Sequence, residues 1–175
     1  AKLIKGCMQW HLGSPNRNQY KHQFETIFNS LPKSSKLLLT IGEIDCRLDS
    51  GIIKHSKKLL NNDLNELVIT TVRNFLTYIS NTNSKYQHRI IIQGVPCPNI
   101  ATKKYLEKDV KKLIKVITMF NLEVRNISKE RGFGFLDVHK LTDRGDGLSG
   151  GIWHIDEHHL SPEGTLEAWR EHLSL

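Results

Sequence analysis

The stretch Leu37-Leu38-Leu39-Thr40-Ile41-Gly42-Glu43-Ile44-Asp45-Cys46-Arg47 decides how the rest of the chain is read. Its first half is an unbroken apolar and β-branched run, the composition of a strand buried on both faces of a parallel sheet. Gly42 and the alternating acids after it end that strand in a turn crowded with reactive side chains. Further strand signals at 3–5, 89–93 and 133–138 alternate with helical patterns. A helix is predicted over 63–80, where Leu64, Val68, Val72, Phe75 and Ile79 recur at helical spacing, and another over 103–131 through Val110, Leu113, Ile117 and Val124. A shorter one is predicted between Asn18 and Asn29. The last opens with Ser161 as N-cap and Pro162 at the first helical position and is expected to bury Leu166, Trp169 and Leu173. Strands alternating with helices predict an α/β domain with a mainly parallel sheet. Four or five strands are expected, with 36–41 and 89–93 as interior neighbours.

A second motif lies near the C-terminus: His154-Ile155-Asp156-Glu157-His158-His159-Leu160-Ser161-Pro162. An imidazole that takes a proton from a nucleophile needs its tautomer fixed, and a carboxylate fixes it by accepting from the other ring nitrogen. Asp156 and His159 are candidates for that pair. The competing reading is a His-rich loop that simply caps the final helix.

Taken together, Gly42-Glu43-Ile44-Asp45 and Asp156-x-x-His159 resemble the third and last conserved blocks of the SGNH (GDSL-like) hydrolases, Gly-x-Asn-Asp and Asp-x-x-His. The resemblance implies a three-layer, flavodoxin-like domain that hydrolyses esters by Ser-His-Asp chemistry. His159 would be the general base and Asp156 its orienting partner. Lys2-Leu3-Ile4-Lys5-Gly6 is similar to the short strand and glycine of the second block, which makes the Gly6 N–H an oxyanion donor. Gly42, Glu43 and Asp45 would shape the same site. The implied substrate is a small-molecule or glycan ester, O-acyl groups of carbohydrates among them, and neither cofactor nor metal is implied.

Two departures stand beside the resemblance. No Gly-Asp-Ser occurs in the 175 residues, and Ile44 stands where the family has an oxyanion Asn. Loss of one such donor costs on the order of 10²–10³ in rate. The Ser is therefore expected upstream of Ala1, and residues 1–175 are expected to form one α/β domain lacking a first strand. Alternatively 3–5 takes the central position and Cys7 stands near the nucleophile's place. Arg47 either holds a substrate carboxylate or phosphate in a bidentate pair or is paired internally with an Asp. Two further readings compete with the hydrolase: a catalytically inactive binding module on the same fold, and a metal site built from His154, Asp156, His158, His159 and the cysteines.

At 175 residues the chain is long enough to bury roughly 70% of its unfolded surface. The net charge of +7 draws on Lys103, Lys104, Lys108, Lys111, Lys112 and Lys115, read as a solvated helix face because aromatic residues are not interleaved. No nucleic-acid partner is expected. No apolar run approaches the roughly 20 residues of a membrane helix, and no membrane partner is expected. Three cysteines, Cys7, Cys46 and Cys97, leave at least one unpaired within the chain, which points to a reducing, cytoplasmic setting. Ser14 reads as a turn residue. The glycine-rich stretch 140–151 is either a lid or a plain connector.

Overall fold

Successive side chains along a strand point to opposite faces of a sheet, and β2 (Arg89–Gln93) has apolar residues on both. Ile90 and Ile92 join the larger core with Phe28, Val72, Phe75 and Phe120, whereas Ile91 packs with Leu136, Val138 and Ala168 in a smaller one. A strand of this kind needs helices on each side, and the result is a three-layer α/β fold. The computed structural model describes residues 1–57 and 63–173. In it β1 (Lys36–Leu39), β2 and β3 (Gly134–Leu136) pair in parallel in that order, with Leu38 opposite Ile91 and Ile92 opposite Phe135. One layer holds α1 (Gln9–Gly13), α2 (Gln19–Asn29), α3 (Glu43–Cys46), α4 (Gly51–Ser56), α5 (Leu64–Asn83) and α6 (Glu107–Glu130). The other holds α7 (Val138–Thr142) and α8 (Pro162–Leu173).

Helices begin where side chains cap them. Asn18 Oδ1 accepts the Lys21 N–H at 3.0 Å, Asp63 Oδ1 the Asn65 N–H at 3.0 Å, and Ser161 Oγ the Gly164 N–H at 3.0 Å.

Five sequence expectations are corrected. Residues 3–5 form no strand: Leu3 is 87% exposed, and the Cys7 N–H closes a turn on the Ile4 carbonyl at 3.2 Å. Only Ile4 of that segment reaches the core, too little apolar surface to hold a strand. The sheet among the described residues has three strands, not four or five. Although β1 neighbours β2 as expected, it is an edge: it pairs on one side only, and Leu38 is 36% exposed. The predicted strand at 133–138 stops at Leu136, because Asp137 Oδ1 accepts the Lys140 N–H at 3.0 Å and starts α7. In α8 the buried residues are Gly164 and Ala168, while Leu166 and Leu173 face solvent. Small residues bring that helix close, since a Cβ on Gly164 would lie 2.9 Å from Trp153 Cβ.

Candidate active site

The Asp-x-x-His motif sits at the tip of a chain reversal. The Ser161 N–H donates to the Trp153 carbonyl at 2.7 Å and the Ile155 N–H to the His159 carbonyl at 3.0 Å. Between them Asp156 Oδ1 accepts the backbone N–H groups of His158 and His159, both at 2.7 Å, so the carboxylate itself holds the turn. The loop is tied to the segment after β2. The Asn99 N–H donates to the Glu157 carbonyl at 3.0 Å, and the Tyr105 hydroxyl donates to Glu157 Oε2 at 3.0 Å.

This turn presents Asp156 Oδ2 to His159 Nδ1 at 2.7 Å. An ionised carboxylate only accepts, so Nδ1 is the donor in this contact and Nε2 is the ring nitrogen turned away from the carboxylate. Desolvation alone would raise the Asp156 carboxyl. The bonds from the His159 ring and from the two backbone N–H groups outweigh it and hold the group well below the usual carboxylate range. The His159 side chain is 54% exposed.

Facing Nε2 is Arg47, whose Nη2 lies 3.4 Å away. One helical turn separates Arg47 from Glu43 on α3, and the two form a bidentate pair, Nε to Oε1 at 2.7 Å and Nη2 to Oε2 at 2.5 Å. The internal partner is therefore Glu43 and not an Asp. Glu43 also lies 3.6 Å from His158 Nδ1 and 4.0 Å from His159 Nε2. Gly42 makes this approach possible: its φ is 140°, and a Cβ there would fall 2.8 Å from Phe120 Cε1.

Other residues of the motifs lie elsewhere. Asp45 is fully buried, accepting the Gln9 N–H at 2.8 Å and the Trp10 N–H at 3.1 Å, a strut between α3 and α1. Burial lifts its carboxyl to about 7 against the pull of those N–H groups. Gly6 is an exposed turn residue at φ 71° whose nearest side chain is Tyr20 of α2, not the Asp156–His159 loop. Cys7 is buried, and desolvation followed by the Asp45 charge pushes its thiol up to about 12. At neutral pH it is a protonated thiol, and its hydrogen bond goes to the Met8 carbonyl. Ile44, half-buried, brings no side-chain donor. His154 has its Nδ1 3.0 Å from the Ser149 hydroxyl, and among the described residues no three His, Cys, Asp or Glu side chains converge to hold a metal. The glycine-rich stretch is a bonded connector, with Asp143 Oδ1 accepting the Gly145 and Gly147 N–H groups at 2.8 and 2.9 Å.

Thr40, Ile41, Glu43, Gln93, His158 and His159 enclose much of a cavity of about 230 Å³ beyond the C-terminal ends of β1 and β2, the edge where parallel sheets collect ligands. Two contributors went unread in the sequence. Gln93 closes the Ile-Ile-Ile strand, and a polar residue ending a buried strand was the available signal. Asn121 of α6, buried, accepts the Val95 N–H at 2.7 Å and donates to the Val95 carbonyl at 2.8 Å, fixing the loop that walls the cavity. A larger cleft of about 340 Å³, lined by Met8, Trp10, Ile52 and Leu67, contains no residue of the Asp156–His159 loop, so size does not locate the chemistry.

No protein-family model matches the chain, and no curated protein matches it. Solved structures do. The chain is similar to LAE5, an α/β hydrolase enzyme from the metagenome of Lake Arreo, Spain, at 13% identity and a TM-score of 0.54 over 97% of this chain and 69% of that one. It is also similar to a phospholipase A1 from Streptomyces albidoflavus, at 14% identity and a TM-score of 0.50 over 85% of this chain and 73% of that one. An extracellular lipase from Streptomyces rimosus matches at 15% identity and a TM-score of 0.50, over 80% and 68%. At such identities the likeness is one of fold. This chain has a hydrolase-like α/β fold.

Proposed function

We propose that this chain carries the base and the orienting acid of an SGNH-like ester hydrolase. The observation that carries the reading is the 2.7 Å contact between Asp156 and His159 Nδ1, with Nε2 turned away from the carboxylate and the ring more than half exposed beside a cavity at the strand ends. In the reaction, a Ser hydroxyl gives its proton to Nε2 as its oxygen attacks the ester carbonyl, and Asp156 stabilises the imidazolium that forms. His159 then protonates the leaving alcohol, and a water molecule repeats the sequence to free the acid. The Ser is supplied by residues outside this sequence, on a strand that pairs with the open edge of β1. Its support is the one-sided pairing of β1, the exposed Leu38, and hydrolase neighbours of which this chain covers 68–73%. The position 3.4 Å from Nε2 held by Arg47 is the one the hydroxyl takes, and the displaced guanidinium turns to the substrate. The small cavity and its polar Thr40 and Gln93 favour a short acyl group on a polar alcohol, such as an O-acylated carbohydrate.

The test is hydrolysis of a short-chain activated ester by the full-length natural polypeptide. Turnover is expected, with a loss of at least ~10³-fold in His159→Ala at unchanged far-UV circular dichroism. Arg47 beside Nε2 and Ile44 at the oxyanion position favour a second reading, a binding module without chemistry. Absence of turnover in the full-length protein would select it.

A further inference from the structure

The cavity beside His159 holds a polar group that the fold leaves unused. Gln93 is the last residue of β2 and shares a face with Ile91, which packs with Ala168 of α8, so its side chain lies on the α8 side with Leu160 and Thr165. Its Oε1 is sealed from solvent and has no hydrogen-bond partner among the described residues. Buried polar groups in folded proteins are nearly always bonded, and an exception marks a place where a ligand or an ordered water completes the pairing.

We infer that Gln93 is a specificity-determining residue that hydrogen-bonds a ring hydroxyl of the substrate, so that this site takes esters of polyhydroxylated rings such as sugars. The inference rests on the hydrolase reading for the word ester, not for the hydroxyl. A hydroxyl both donates and accepts, and the terminal torsion of a Gln amide turns freely, so the two pair whichever way the amide faces. The neighbouring wall offers the exposed Thr40 hydroxyl and the Glu43 carboxylate to further ring hydroxyls. At about 230 Å³ the cavity falls below the roughly 300–1,000 Å³ of drug-sized sites and suits one ring with a short acyl group better than a long alkyl chain.

Two amide probes that an esterase does not cleave separate the cases, an N-acetylhexosamine and N-cyclohexylacetamide, which share a ring and an acetyl group but differ in hydroxyls. Binding to the full-length natural polypeptide is read from chemical-shift perturbation of Gln93 and His159. The hydroxylated probe is expected to bind about 10-fold tighter. Gln93→Met, which keeps the side-chain length, should erase the preference and leave the cyclohexyl probe unchanged. Should that variant fail to fold, monodeoxy analogues on the unaltered protein carry the test, one deletion being expected to remove most of the preference. Equal affinities, binding of neither probe, or a preference that survives Gln93→Met would each overturn the inference, the first being the signature of an ordered water only. A monomeric short-chain phospholipid that outcompetes the sugar would overturn it as well. Because no turnover is needed, a hydroxyl preference without hydrolysis sinks the hydrolase reading alone, and hydrolysis without the preference sinks this inference alone.

Discussion

Asp45 and Asp156 belong to the two motifs that suggested the chemistry, yet their surroundings drive them in opposite directions. Asp156, at the surface, has its charge stabilised by the His159 ring and two backbone N–H groups, more than offsetting desolvation. Asp45 loses its hydration entirely, and burial lifts it to about 7. A carboxyl whose folded pKa lies above its unfolded value of about 4 contributes stability at low pH that is lost as pH rises. Comparing thermal midpoints of the wild type and Asp45→Asn isolates this. The wild type should lose stability relative to the variant from about pH 4 up to about pH 7, and the difference should level off above that. A difference that is flat, or that grows the other way, would show Asp45 ionised throughout the range. The Asp156–His159 pair was legible because Asp-x-x-His needs only a local turn to close. The burial of Asp45 was not, because its partners Gln9 and Trp10 lie far upstream in the chain. Cys7 likewise read as a candidate nucleophile from sequence position, whereas its reactivity depends on burial that position does not encode.

Among the elements, the long periodic helices α5 and α6 and the β2 strand were readable, since 20 and 24 helical residues carry enough repeats to outweigh local exceptions. Short or one-sided elements were not. The Leu-Leu-Leu run of β1 describes a strand fit for burial, but whether both its edges are paired depends on chain packed elsewhere. The face of α8 was misassigned because Gly164 and Ala168 are invisible to a hydrophobic stripe, although they let the helix approach. The cavity wall depends on a helix-to-loop bridge that periodicity also passes over. Asn121→Leu would leave the buried Val95 N–H and carbonyl without their partner, at about 1–3 kcal/mol for each orphaned group. Urea denaturation should show the loss as a lowered midpoint with an unchanged slope. A variant as stable as the wild type would mean that the loop finds other partners.

The molecule as a whole gathers its candidate site at one end of a parallel sheet, where the turn after β1, the loop after β2 and the Asp156–His159 reversal meet around one cavity. Among the described residues β1 pairs on one side only, which leaves its other edge open. The parallel α/β arrangement followed from the alternation of strands and helices and the three layers from the resemblance, whereas strand number did not, because a three-stranded parallel sheet has the same local sequence as a wider one. The central claim is that His159 and Asp156 activate a Ser brought to this edge. Reaction of the full-length natural polypeptide with a fluorophosphonate, followed by mass-spectrometric mapping of the adduct, tests it most directly. The account predicts one labelled Ser, at the end of an apolar strand segment preceding Ala1, with labelling lost in His159→Ala. No adduct, or an adduct formed equally well without His159, would contradict it.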